Sequence, residues 1–166
     1  MQLKLLYLVT FVASVFAADP LATSVNGIAQ DYDKLNQDIT AWPGDYESCK
    51  SLVAEADVIA KALVNVKPPV TITPPDAATV KERQQAVQSL WKSIDAYLDI
   101  AIDVKFTVDQ TQPSVKPMVL TAIEALQAGF LALSKSCLVV MTDEPSQVAF
   151  DQINHNMKRV YKLYTF

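Results

Sequence analysis

Leu98-Asp99-Ile100-Ala101-Ile102-Asp103-Val104-Lys105-Phe106-Thr107-Val108 is the stretch on which the fold turns. Leu98, Ile100, Ile102, Val104, Phe106 and Val108 alternate strictly with Asp99, Ala101, Asp103, Lys105 and Thr107. Alternation of this kind is the pattern of a half-buried strand. A strand needs a partner for its backbone groups, and only the short piece Val70–Thr73 offers one. The residues leading into it, Val80, Val87, Leu90, Trp91 and Ile94, continue with Leu98 and Ala101 at helical steps instead. The stretch therefore reads as the continuation of a helix, with a strand as the competing reading. The helical reading makes the fold class all-α.

Nine prolines divide the rest of the chain into apolar stretches. Proline breaks a helix interior but is welcome in its first turn. A first helix is expected from about Ala22 to Trp42, with Val25, Ile28, Tyr32, Leu35, Ile39 and Trp42 on one face. Pro43-Gly44-Asp45 is a breaker. A second helix runs from about Tyr46 to Val66, burying Cys49, Leu52, Val53, Ala56, Ile59, Ala60, Leu63 and Val66. Thr73-Pro74-Pro75-Asp76 opens a third, with Thr73 as cap and Pro74 at the first helical position. If it reaches Val108 it is far longer than the first, and must kink, overhang or end early. A fourth starts near Ser114. A fifth starts near Glu144, with Val148, Phe150, Ile153, Met157, Val160, Tyr161 and Tyr164 inward. Short connections favour antiparallel neighbours. The expectation is a five-helix antiparallel bundle in a single domain.

That domain follows a leader. Met1–Lys4 carries one positive charge, Leu5 to Phe16 is almost wholly apolar, and Val15-Phe16-Ala17 ends in small or aliphatic residues. This is the grammar of a cleaved signal peptide, residues 1–17, leaving a mature domain of residues 18–166. The whole chain has 14 Lys+Arg against 18 Asp+Glu, a net charge of −4. An acidic chain is a poor partner for nucleic acid. No later apolar run has the length of a membrane span, and no Asn-x-Ser/Thr sequon occurs. The expected location is secreted and extracellular, with cell-wall association as an alternative.

Catalytic and metal motifs are missing from the sequence. There is no G-x-S-x-G, H-E-x-x-H, C-x-x-C or P-loop. His155 is the only histidine and falls on a polar flank, so no enzyme, cofactor or metal is expected. Asp95, Asp99 and Asp103 line one helix face, which reads as a solvated stripe rather than the loop of oxygens that calcium needs. Cys49 and Cys137 could pair in an exported chain. In an up-and-down bundle, however, they fall at opposite ends of parallel helices, and a bridge needs Cα atoms within about 7 Å. Both a disulfide and free thiols stay open.

The succession Ile28-x-x-Asp31-Tyr32-Asp33-Lys34-Leu35-Asn36-Gln37-Asp38-Ile39, a Pro/Thr-rich break, the Val80…Leu98 helix with Asp103-Val104-Lys105-Phe106, the Val119…Ile123…Leu126 helix and a final helix resembles the fungal hydrophobic surface-binding protein A family, also called cell-wall galactomannoproteins. The resemblance spans Ala22 to Tyr164. It implies a secreted or wall-associated, non-enzymatic protein that adsorbs to hydrophobic surfaces or encloses a fatty acid in its bundle. It brings no catalytic residues. Many relatives continue into a Ser/Thr-rich stalk or an anchor signal; the end at Phe166 implies a freely secreted form.

The leading expectation is a protein that binds hydrophobic surfaces or a long-chain lipid or fatty acid, with cell-wall polysaccharide as a further partner. Desolvation would drive it, at about 0.8 kcal/mol per buried methylene. Leu35, Ile39, Ile59, Leu63, Leu90, Ile94, Leu98, Leu126, Phe130 and Ile153 are the candidate lining. The alternative is a structural or adhesion protein of the cell wall with no internal ligand.

Overall fold

A computed structural model describes residues 18–70, 74–111 and 113–165; the proposed leader lies outside the described residues. The chain forms α1 (Pro20–Thr40), α2 (Tyr46–Asn65), α3 (Ala77–Gln110), α4 (Val115–Cys137) and α5 (Glu144–Thr165). No strand occurs among the described residues, and Leu98–Val108 is helical throughout.

Aspartate carboxylates open four of the helices. Asp19 accepts from the Ala22 N–H (2.9 Å), Asp45 from Ser48 (2.8 Å), Asp76 from Thr79 (2.7 Å) and Asp143 from Ser146 (2.9 Å). Each satisfies an orphan donor of a first turn. Two expected starts shift as a result. α1 begins at Pro20, with the proline in its first turn. α3 begins at Ala77, so Asp76 is its cap and Pro74 lies outside it; the position of Thr73 falls outside the described residues. Pro74 is itself followed by proline, which drives it from the helical region. α4 alone has no side-chain cap bond and no acidic residue in its first turn.

Chain neighbours run antiparallel, but the most extensive contacts join helices two apart in the chain. α1 lies parallel to α3: Arg83 donates to Asp19 at 3.0 and 2.8 Å, Asn36 Nδ2 to the Ser93 carbonyl at 2.8 Å, and Thr111 Oγ1 to the Gly44 carbonyl at 3.2 Å. α5 lies parallel to α3 on its other side, through Gln84 to Asp143 (3.0 Å), Asn156 to Asp95 (2.9 Å) and the Tyr164 hydroxyl to the Ala101 carbonyl (2.8 Å). One layer is thus α1–α3–α5. The second is α2–α4, running the opposite way. α3 and α4, though joined by a short connection, barely touch.

The central place of α3 explains its wide apolar arc. Ile100 turns into the groove beside Asn36, Gln37, Thr40 and Ala41 of the first helix and its turn. Ile102 lies in the groove beside Arg159, Lys162 and Leu163. At 34 residues α3 is a continuous helix of about 51 Å. Its first turns overhang the start of α1, since Asp19 is level with Arg83. Its last turns outrun α5, since Tyr164 is level with Ala101. Phe106, beyond that level, is 73% exposed. Val148, expected inside, is 52% exposed, because α5 turns Ala149 and Phe150 toward the core instead.

Cys49 and Cys137 are buried free thiols. The possible disulfide is not formed, because the parallel course of α2 and α4 puts the first turns of one and the last turn of the other at opposite ends. α4 also departs from expectation: by length and composition it could cross a membrane. In the bundle its apolar side packs on α2 and α5. His155 is exposed, and Asp99 and Asp103 face solvent.

Candidate functional site

Gly129 fixes where the second layer is tight. A Cβ there would come within 3.0 Å of the Ala60 carbonyl oxygen and of Leu63 Cδ1. Only glycine lets α4 approach α2 this closely. Two turns toward the start of both helices the contact opens. There an apolar cavity of about 60 Å³ lies among all five helices.

Its inner wall is Leu35, Cys49, Ala56, Tyr97, Ala101, Val108 and Tyr164, all buried. Its outer wall is Ile39, Trp42, Leu52, Val53, Val104, Val119 and Ala122, all half-buried. Three helices contribute alanines, Ala56, Ala101 and Ala122, to one level. Small side chains facing one another leave the gap. Trp42 is fixed in the α1–α2 turn by its indole N–H, which donates to the Asp45 carbonyl at 2.9 Å. Gly44 makes that turn with φ +87°, and a Cβ on it would meet Thr107 Cγ2 at 3.0 Å.

No charged residue lines the cavity. Burial pushes the Tyr97 hydroxyl well up. Burial also raises Tyr164, helped by the negative charge of Asp109. Cys49 is raised by burial and by the neighbouring Asp45. All three stay protonated at neutral pH. Behind them Tyr32 is fully buried, edge-on to Tyr97 with ring centroids 5.9 Å apart, and its hydroxyl has no partner among the described residues. The space suits an apolar guest, since every methylene entering it leaves water.

A volume of about 60 Å³ holds a few waters at roughly 15 Å³ of such space each. Drug-sized guests need pockets of about 300 Å³ or more. A long alkyl chain therefore enters only as the half-buried outer wall moves. Of the ten residues expected as lining, Leu35 and Ile39 stand on the cavity. Ile59, Leu63, Leu90, Ile94, Leu98, Leu126, Phe130 and Ile153 are buried in the packed core behind and above it. The lining that the sequence did not single out as such comes from Trp42, the first half of α2, the later half of α3, the start of α4 and the end of α5. The facing alanines are the signal that would have marked it.

The fold and the cavity together define the class: a single helical domain of five helices with an apolar pocket at one end. No protein-family model matches the chain, and no curated protein matches its sequence. In fold it is similar to AfMP4p, whose crystal structure was determined in complex with palmitic acid. The TM-score is 0.65 and the identity 19%, over 87% of this chain and 97% of that one. At that identity the likeness is one of fold.

Proposed function

We propose that this protein is an exported, non-enzymatic binder of long-chain fatty acids and related single-chain lipids. It would belong with the hydrophobic surface-binding and galactomannoprotein relatives that its sequence resembles. The observation that carries the reading is the uncharged apolar cavity enclosed by all five helices. The fold shared with a palmitic acid complex supports it. The mechanism is desolvation. At about 25 cal/mol per Å² of apolar surface removed from water, a saturated chain needs no strong polar contact to bind. The cost is parting the outer wall, and the half-buried Leu52, Val53, Val119 and Ala122 are the side chains that must give way.

The test is native mass spectrometry of the protein isolated under mild conditions, then displacement of a fluorescent fatty acid by palmitate. A bound alkyl-chain adduct, and loss of displacement in Ala122→Phe with an unchanged circular-dichroism spectrum, are expected. A ligand-free protein that neither binds the probe nor differs from Ala122→Phe would end the proposal.

A further inference from the structure

The cavity has no charge of its own, yet a cationic group stands beside it. Lys105 on α3 pairs with Asp109, and Lys116 in the first turn of α4 reaches the other oxygen of the same carboxylate at 3.5 Å. Two ammonium groups share one carboxylate, so the cluster keeps one positive charge in excess. Its position is set by the cavity lining. Lys105 stands one turn before Val108, and Lys116 one turn before Val119, both of which line the cavity. The charge of Asp109 also reaches the Tyr164 hydroxyl inside the cavity. The Lys105 side chain is only 25% exposed and that of Lys116 39%, so their ammonium groups lie low against the protein rather than out in solvent. The uncapped start of α4 adds positive potential on the same side.

We infer that Lys105 and Lys116 form a head-group subsite that holds the carboxylate of an anionic single-chain lipid while its alkyl chain occupies the apolar cavity. This rests on the lipid-binding reading above and adds to it a direction of insertion and a selectivity for anions. The tail goes inward because the apolar wall takes its methylenes out of water. The head stays at the rim because no cation lies within, and burying an unpaired carboxylate is prohibitively costly. At the rim the carboxylate accepts from the two ammonium groups and completes the charge balance that Asp109 alone leaves short. Charge-assisted bonds of this kind are the stronger ones.

The experiment compares palmitate with hexadecanol, which has the same chain and a neutral head, by displacement of a bound neutral fluorescent lipid. The wild type should prefer palmitate by about ten-fold at low salt. That preference should shrink at high salt, because the cluster is partly exposed. In Lys105→Gln/Lys116→Gln the ratio should fall to near one, and in Lys116→Glu it should invert. Equal binding of the two ligands by the wild type would overturn the inference and leave the lipid-binding reading standing. So would a preference that survives in the lysine variants but vanishes in Tyr97→Phe, which would place the head group inside. Failure of both ligands to bind would remove the lipid-binding reading and this inference with it.

Discussion

The two ends of the bundle are built on different physics. At the Asp19 end the chain invests in specific polar contacts. Asp19 and Arg83 form a two-bond ion pair, with side chains 7% and 5% exposed. Asp143 caps α5 and also accepts from Gln84. At the Tyr164 end the same five helices line an apolar cavity with alanines, valines and tyrosines, and the polar contacts are the Tyr164 hydroxyl on the Ala101 carbonyl, Thr111 on the Gly44 carbonyl and the Lys105–Asp109–Lys116 cluster at the rim. Gly129 stands between the two regimes. One end is a clamp, and the other is soft enough to receive a guest. The difference teaches that this fold secures its register at one end so that the opposite end is free to yield.

The sharpest way to break that contrast is to remove the clamp. Asp19→Ala leaves Arg83 buried without its partner and should lower the unfolding free energy by about 3–5 kcal/mol in urea titrations. Removing both, in Asp19→Leu/Arg83→Met, should recover most of the loss. The pair also sets an acid limit. Burial raises the Asp19 carboxyl, but the Arg83 bonds and the Ala22 N–H outweigh it and hold the group below its ordinary value of 3.8. A depressed carboxyl stabilises fully above that value and loses its contribution as pH falls through the lower folded value. The difference in melting temperature between wild type and Asp19→Ala should therefore close in strong acid.

A smaller effect is expected at the divide. Gly129→Ala must push the Ala60 backbone away. Overpacking costs about 1–3 kcal/mol, against a gain of about 1 kcal/mol from helix propensity. The net loss should be at most about 2 kcal/mol, and spreading α2 from α4 should speed ligand uptake measured by stopped flow. At the soft end the sign reverses. Ala122→Leu fills part of the cavity, which at about 24 cal/mol per Å³ is worth at most about 1.5 kcal/mol. It should raise the melting temperature of the ligand-free protein while weakening lipid binding at least ten-fold. No ordinary core position would show that combination.

The thiols give the mildest contrast. Burial pushes Cys137 up to about 12, despite the nearby Arg83. Cys49, on the cavity wall, is raised less far. Both should resist alkylation in the native protein, with Cys49 reacting first. Palmitate should slow Cys49 and leave Cys137 unchanged.

Much of the architecture was readable from residue order. Prolines and three- and four-residue apolar steps marked the five helices, and Val25, Leu90, Ile94, Leu126 and Phe150 showed their buried faces, while the aspartate caps that set the exact starts went unread. The alternation at Leu98–Val108 suggests a strand only when taken as one surface, and the helical reading drawn from the steps before it holds. On a helix it splits into Val104 and Val108 toward the cavity, Ile100 and Ile102 toward flanking grooves, and Phe106 outward. What could not be read was the pairing of helices. Loop length announces which helices are joined, not which ones pack, so the parallel contacts of α1 with α3 and of α2 with α4 were out of reach. The lining followed the same limit. Large apolar residues such as Leu126 and Phe130 fill space, and cavities form where small ones from separate helices coincide.

The pairing of next-but-one helices has a consequence for how the molecule comes into being. Asp19 finds Arg83, Asn36 finds Ser93 and Tyr164 finds Ala101, each roughly sixty positions away along the chain. Helical proteins whose contacts are mostly local assemble fastest, and long loops must close before distant contacts reward them. The three-helix layer α1–α3–α5 therefore stays incomplete until the last helix has been synthesised. The chain should collapse late and more slowly than an ordinary helical hairpin bundle.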